Sequence, residues 1–239
     1  YDDWYGTPPD TDACVEALAR LAGRGSVLEL GAGTGRLAIP LAQRGLSVHA
    51  LDGSAAMLDQ LAAKPGGAAV QRHVGDMGAP LPSGPFGLVF VAVNTFFAIP
   101  DATAQQQASH HVAEQLDDGG RFVVEAFVPE AQHDGDRVDV RDLSADRVVL
   151  AISRTDSAAQ RAIGQFVELR DGQPVRLRPW AIRWSTPEQL DAMASGAGLR
   201  LEHRWASWTG DPYGPDSTNH VSVYRKSPGV LHQVGQQRS

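Results

Sequence analysis

The most definite chemistry lies in Glu29-Leu30-Gly31-Ala32-Gly33-Thr34-Gly35, where an apolar run stops in three alternating glycines and a helix-like segment follows. At the carboxyl end of a strand, such glycines turn the backbone tightly and let a ligand approach with no Cβ in the way. The spacing is G-x-G-x-G. Arg36 takes the third-glycine place of the dinucleotide fingerprint, and the Lys-Ser/Thr of a phosphate-gripping loop is missing. Alone, such a turn serves structure as often as binding, but it has companions. Asp52 closes the second apolar run about 20 residues on, where a carboxylate can accept both hydroxyls of a ribose. Gly75-Asp76-Met77 follows the third run. A carboxylate there can accept from an exocyclic amine, and a Met can lie on a purine face. Singly, Asp52 reads as a helix cap and Asp76 as a loop turn. Three such signals at successive strand ends read as one site.

The elements that must position these residues alternate from Ser26 to Phe127, as a parallel sheet with crossover helices requires. Strands are expected at 26–30, 46–51, 70–74, 87–93 and 121–127. A helix is expected over 35–44, closed by Gly45 in the left-handed C′ place. A second follows the cap Ser54, with Met57, Leu58 and Leu61 on one face, and a third runs over 105–116 to Asp117-Asp118-Gly119-Gly120. Beyond Pro129 the pattern changes to alternating runs at 138–143, 147–155, 162–170 and 175–184, with Asp171-Gly172 as a hairpin signal. This predicts an antiparallel layer inserted after the fifth strand. Thr186 caps a last helix with Pro187 at its first position, and strands at 199–208 and 221–226 follow, one of them antiparallel. The organisation expected is a cap segment and helix (1–25), a cofactor core (26–129), an insertion (130–184), closing elements (185–226) and a loose tail (227–239).

Composition narrows the function classes. With 239 residues, 42% hydrophobic and 21% charged, the chain can bury a sizeable core. A net charge of -7 argues against nucleic acid or an anionic membrane as the main partner. No apolar run nears the ~18 residues that span a bilayer. The opening Tyr1-Asp2-Asp3-Trp4-Tyr5 lacks a signal-peptide pattern and an initiator Met, so a trimmed start is expected. The lone cysteine, Cys14, can close no internal disulfide and build no thiolate cluster, and it sits beside Val15 and Leu18 as helix packing. A soluble, cytoplasmic protein is the expectation.

As a set, these strings resemble the class I S-adenosylmethionine-dependent methyltransferases, especially the bacterial small-molecule kind. Val27 to Arg36 is similar to that family's first motif, Leu51 to Leu58 to its second, and Gly75-Asp76-Met77 to its third. Leu116 to Phe122 resembles its Gly-Gly entry to the fifth strand, and Trp184 to Leu190 with Gly198-Leu199 its closing helix and strand. The resemblance implies an α/β fold: a Rossmann-like, doubly wound, seven-stranded sheet carrying the antiparallel β insertion. It implies that Glu29, Gly31, Ala32, Gly33 and Gly35 hold the methionine part of S-adenosylmethionine and that Asp52, with Gly53 and Met57 beside it, holds the ribose. Gly75, Asp76 and Met77 would take the adenine, Asn94 would face the sulfonium, and Tyr1 and Tyr5 would cover the cofactor. Phe86-Gly87 departs from the usual aromatic-Asp, and Asp117-Asp118 from a Pro-containing pair, neither touching the chemistry.

Methyl transfer is an in-line displacement that needs proximity and orientation above all. The sequence offers no metal site: His110 and His111 are adjacent on a helix, about 100° apart, and cannot chelate as an i, i+4 pair can. His133, in the loop after the fifth strand, is the candidate general base, with Tyr5 a second candidate and His220 and Glu125 weaker ones. Trp4, Phe97, Phe127, Trp180, Trp184 and Tyr213 are candidates for holding a flat or cationic acceptor. The expected reaction is methylation of a nitrogen or electron-rich carbon, such as an amine or an indole-type ring, in a small natural product; O-methylation is the alternative. An NAD(P)-dependent oxidoreductase is disfavoured by Arg36, a non-catalytic scaffold by the full set of cofactor motifs. The inserted layer is suited to forming a homodimer.

Overall fold

The computed structural model describes residues 10–129 and 134–227. Its main sheet has seven strands: β1 (Val27–Leu30), β2 (Val48–Asp52), β3 (Gln71–Val74), β4 (Phe86–Val91), β5 (Leu116–Phe127), β10 (Leu199–Trp205) and β11 (Asn219–Lys226). Their order is β10-β11-β5-β4-β1-β2-β3. Strands β1 to β5 pair in parallel, and β11 runs antiparallel to both β5 and β10. This is the doubly wound sheet the sequence predicts. The chain order reverses beside β1, whose neighbours are β2 on one side and β4 on the other, and ligands of open α/β sheets bind at the carboxyl edge of such a reversal.

Alternation along the central strands sends side chains to two cores. Helices α1 (Thr11–Ala22), α2 (Ala38–Gln43) and α3 (Ala55–Ala63) pack with Val27, Val48, Ala50, Leu88, Phe90 and Val123. Helices α4 (Ala102–Gln115) and α5 (Pro187–Gly196) pack with Leu28, Leu30, Val89, Val91, Phe122 and Val124. The expected caps are in place: Ser54 accepts from the Met57 N–H, and Thr186 and Gln189 form a reciprocal capping box with Pro187 next to it.

Three expected boundaries are corrected. The second helix starts at Ala38, not Gly35, because Gly35 has φ +84° and belongs to the preceding turn. Asp117-Asp118-Gly119-Gly120 does not close a helix: β5 begins at Leu116, and Gly119 at φ +75° accompanies a register shift against β4. Strand β4 ends at Val91, since Val93 leaves the extended region altogether.

The insertion is a second sheet of β6 (Gly135–Leu143), β7 (Arg147–Asp156), β8 (Arg161–Arg170) and β9 (Arg176–Arg183), antiparallel throughout. Its β8–β9 hairpin turns at Gly172, φ +65°, as Asp171-Gly172 predicts. Gln105 of α4 ties it to the body. The Gln105 amide donates to the Arg183 carbonyl at 2.7 Å, and its Oε1 accepts from Arg183 at 2.9 Å and from Ser185 at 2.8 Å. No helix among the described residues is long and apolar enough to cross a membrane.

Leu28 is fully buried in the second core. Leu28→Ala should therefore lower unfolding stability by about 2–5 kcal/mol, read from denaturant titration.

Candidate active site

The site grows from the end of β1. The N–H groups of Gly31 and Ala32 both donate to the Leu51 carbonyl, at 2.8 and 3.0 Å, which folds the chain over the end of β2. Gly31, Gly33 and Gly35 all have positive φ, at 73°, 55° and 84°. A Cβ on Gly31 would lie 2.4 Å from Thr95 Cγ2, and one on Gly35 2.6 Å from Leu61 Cγ. One on Gly33 would meet nothing within 4 Å. Two of the glycines let protein pack on protein, and the third opens toward free space.

Asp52 is fixed by backbone. Its Oδ2 accepts from the Gly33 N–H and its Oδ1 from the Ser54 N–H, both at 2.8 Å. A carboxylate has about four lone-pair sites, so two amides leave acceptor capacity on each oxygen. Gly75 N–H donates to the Asp52 carbonyl at 3.0 Å, bringing the β3 loop alongside, and Asp76 Oδ1 accepts from the Gly78 N–H at 2.8 Å. Gly31, Leu51, Asp52, Gly53, Val74, Gly75, Asp76 and Met77 line one cleft of about 450 Å³. That volume suits a cofactor-sized ligand.

Behind the turn is a buried acid. Glu29 is only 5% exposed, and its Oε2 has no hydrogen-bond partner among the described residues. Burial pushes its pKa up to about 8, against the opposing pull of the Arg36 guanidinium and the Ala38 N–H. Arg36 itself donates to Thr11 Oγ1 at 3.0 Å. Asp10, Glu29, Glu125 and Arg36 all act on the buried Cys14 thiol, whose pKa is raised chiefly by desolvation.

Asn94 stands in the corner after β4, where its Oδ1 accepts from the Phe127 N–H at 2.7 Å. Phe97 is fully buried and meets Phe127 edge to face, ring centroids 5.2 Å apart. Trp180 and Ile182 pack on the second core, Trp184 is buried in it, and Tyr213 lies 5.5 Å from the Arg204 guanidinium. Ala32 is buried beside the turn, and Met57 lies in the first turn of α3. His220 is fully buried, bonded to Ser222 Oγ at 2.9 Å, with its pKa pushed down to about 4 by burial and Arg204. His110 and His111 lie on α4, and the described residues hold no group of three or more His, Cys, Asp or Glu suited to a metal ion. Tyr1, Trp4, Tyr5 and His133 fall outside the described residues. Thr95, packed on Gly31, and the partnership of Glu125 with the β4 exit carry no motif; only pairing across strands reveals them.

Residues 27–120 match the model of a methyltransferase domain. The chain is 29% identical over 217 residues to the cypemycin N-terminal methyltransferase of a Streptomyces species, covering 90% of this chain and 88% of that one. Its fold superposes on the CcbJ methyltransferase of Streptomyces caelestis with TM-score 0.86 and 36% identity, over 93% of this chain and 98% of that one. A methyltransferase from Clostridium acetobutylicum shares the fold at TM-score 0.82 with 15% identity, over 95% and 96% of the two chains.

A doubly wound sheet with a glycine turn and an acid-lined cleft at its reversal point is the arrangement in which open α/β sheets bind nucleotide-type ligands. The chain belongs to the class I S-adenosylmethionine-dependent methyltransferases. The site fits that cofactor on its own terms: a buried carboxylate oxygen without a partner among the described residues, an open glycine backbone and a cleft of adequate size.

An acid whose pKa rises on folding binds its proton more tightly in the native state. Its stabilising share is full below the unfolded value of 4.5 and is lost as pH rises toward about 8. Glu29→Gln should flatten that decline in ligand-free protein, and pH-dependent urea titrations of both forms will show whether it does.

Proposed function

We propose that this enzyme methylates an amine nitrogen of a small natural product or peptide terminus. The observation that carries the nitrogen is the 29% identity, across nearly the whole chain, to a protein named as an N-terminal methyltransferase.

When bound, S-adenosylmethionine supplies a methyl group on a positively charged sulfur, open to in-line displacement. We assign Asp52 and Gly53, with Met57, to the ribose side, and Gly75, Asp76 and Met77 to the adenine. Glu29 and the turn Gly31, Ala32, Gly33 and Gly35 take the methionine part, its ammonium facing the unpaired Glu29 oxygen, and Asn94 faces the sulfur. The acceptor nitrogen must be neutral to attack, and apolar surroundings lower its pKa. Phe127 at the end of β5, with Phe97 behind it and Trp180 and Trp184 beyond, supplies such surroundings. His133 and Tyr5 are our candidates for taking the proton, with Trp4 and Tyr213 as further acceptor contacts.

Calorimetric titration with S-adenosylhomocysteine tests the cofactor side. Asp52→Ala should weaken binding by about 1–3 kcal/mol, the scale of charged hydrogen bonds. A panel of amines, phenols and indoles incubated with S-adenosylmethionine and read by mass spectrometry tests the acceptor. Methylated amines are expected, whereas transfer confined to phenols or indole carbons would overturn the nitrogen assignment.

We further propose that the insertion pairs with a second copy of the chain. Of the eleven exposed large apolar side chains among the described residues, eight fall between 138 and 177. The register places seven of them, Val138, Val140, Leu143, Ile152, Ile163, Leu169 and Leu177, on one face. Four strands of about eight residues project roughly 500 Å². Side-chain relief brings this toward the ~800 Å² per partner of a specific interface. This mainly apolar face, which also carries the Asp136–Arg154 ion pair and Gln165, can be its own complement across a two-fold axis. Sedimentation should find a dimer, and Ile152→Asp with Leu177→Asp should give monomers that still bind S-adenosylhomocysteine. A monomeric wild type would exclude the pairing.

A further inference from the structure

The corner after β4 is conformationally expensive and is held from a distant strand. Val93 has φ 53° and Asn94 φ 62°, two successive non-glycine residues in the left-handed region. A β-branched residue is a genuine outlier there and persists only where its surroundings over-determine it. Most of the determination comes from β5. Glu125 Oε2 accepts from the Val93 N–H at 2.8 Å, the Glu125 carbonyl accepts from the Asn94 N–H at 3.1 Å, and the Phe127 N–H donates to Asn94 Oδ1 at 2.7 Å. The Glu125 carboxylate is fixed in turn by the side chain of Trp208, which is buried in the β10–β11 connection. The next residue along the corner is Thr95, whose methyl stands where a Cβ of Gly31 would be.

We propose that Glu125 is a positioning residue for the cofactor turn: it clamps the left-handed Val93–Asn94 corner, and the corner seats Thr95 against Gly31. The chain of contact runs from the β10–β11 connection through Trp208 and Glu125 to the corner, and from Thr95 to the first glycine of the turn. At the corner itself the Glu125 side chain supplies one acceptor, to the Val93 N–H, which an isosteric amide oxygen can also supply. This goes beyond the cofactor assignment, and it rests on that assignment only in the choice of S-adenosylhomocysteine as probe.

Calorimetry with S-adenosylhomocysteine on four variants tests it. Glu125→Ala should weaken binding about ten-fold, the loss of roughly one buried hydrogen bond, whereas Glu125→Gln, whose Oε1 still accepts from Val93, should stay within about three-fold of wild type. Val93→Gly removes the steric reason for the clamp. Within that background, adding Glu125→Ala should cost less than about three-fold relative to Val93→Gly alone. Wild-type affinity in Glu125→Ala, a Gln variant as weak as the Ala variant, or an equal penalty in both backgrounds would each overturn the proposal. A wild type that binds no S-adenosylhomocysteine would instead overturn the cofactor reading. Amide exchange on wild-type protein covers the case in which Glu125→Ala does not fold. The Val93 N–H should be strongly protected although the residue is 54% exposed, and exchange at the rate of an open amide would refute the clamp.

Discussion

The carboxyl edge of the sheet depends on one close approach, that of the turn after β1 by the turn after β4. Thr95 packs on Gly31 so tightly that any side chain at 31 would overlap it at 2.4 Å. The two strands are parallel neighbours, so their exits leave the sheet side by side and must share a narrow space. One chain yields by having no side chain, the other by turning left-handed at Val93 and Asn94. Everything downstream inherits that arrangement. The Gly31 and Ala32 amides can reach the Leu51 carbonyl, Gly33 can reach Asp52, and the cleft opens toward β2 and β3 rather than over β4.

The second constraint is electrostatic. A carboxyl in the middle of a parallel sheet, buried and with one oxygen unpaired among the described residues, is the kind of group that folding alone would discard. Its cost is limited by protonation, since burial carries its pKa to about 8, and by the Arg36 guanidinium beside it. Asp52 makes the opposite bargain with its environment: two backbone amides hold it at the rim, ready to accept more. Two acids 23 positions apart in sequence thus differ in what they offer a ligand. One offers a rigid acceptor at the rim, the other a buried oxygen with capacity for a donor.

Local sequence carries much of this edge because glycines and caps act over a few residues. The Ser54 and Thr186 caps and the Asp171-Gly172 hairpin depend on neighbours within four positions, and the 31–35 glycines, Asp52 and Gly75-Asp76-Met77 stand out as short strings although their bonds reach other strands. The misplaced boundaries depend on more distant partners. Gly35 reads as helix from local sequence, which does not show that Leu61 closes over it from α3. Asp117 to Gly120 reads as a helix stop, yet β4 draws it into a strand with a register shift. Val93 continues an apolar run and reads as strand, and only the Glu125 carboxylate, 32 residues away, explains why it is not. The places of the aromatics at segment ends read as acceptor contacts. Burial separates them, with Phe97 and Trp184 inside the core and Phe127 half-open at the rim.

The two sheets divide the labour along lines set by backbone and side chain. Around the turn after β1 most defining contacts are made by main-chain amides and carbonyls, so they depend little on side-chain identity. The insertion works the other way. Its attachment rests on side chains: Gln105 is fully buried and bonds at once to the Arg183 carbonyl, the Arg183 guanidinium and Ser185. Trp180 lies across Gly164, where a Cβ would meet the indole at 2.3 Å. A layer fastened by a few specific side chains can change its inner surface without disturbing the turn. The inserted layer can therefore vary while the turn after β1 stays fixed.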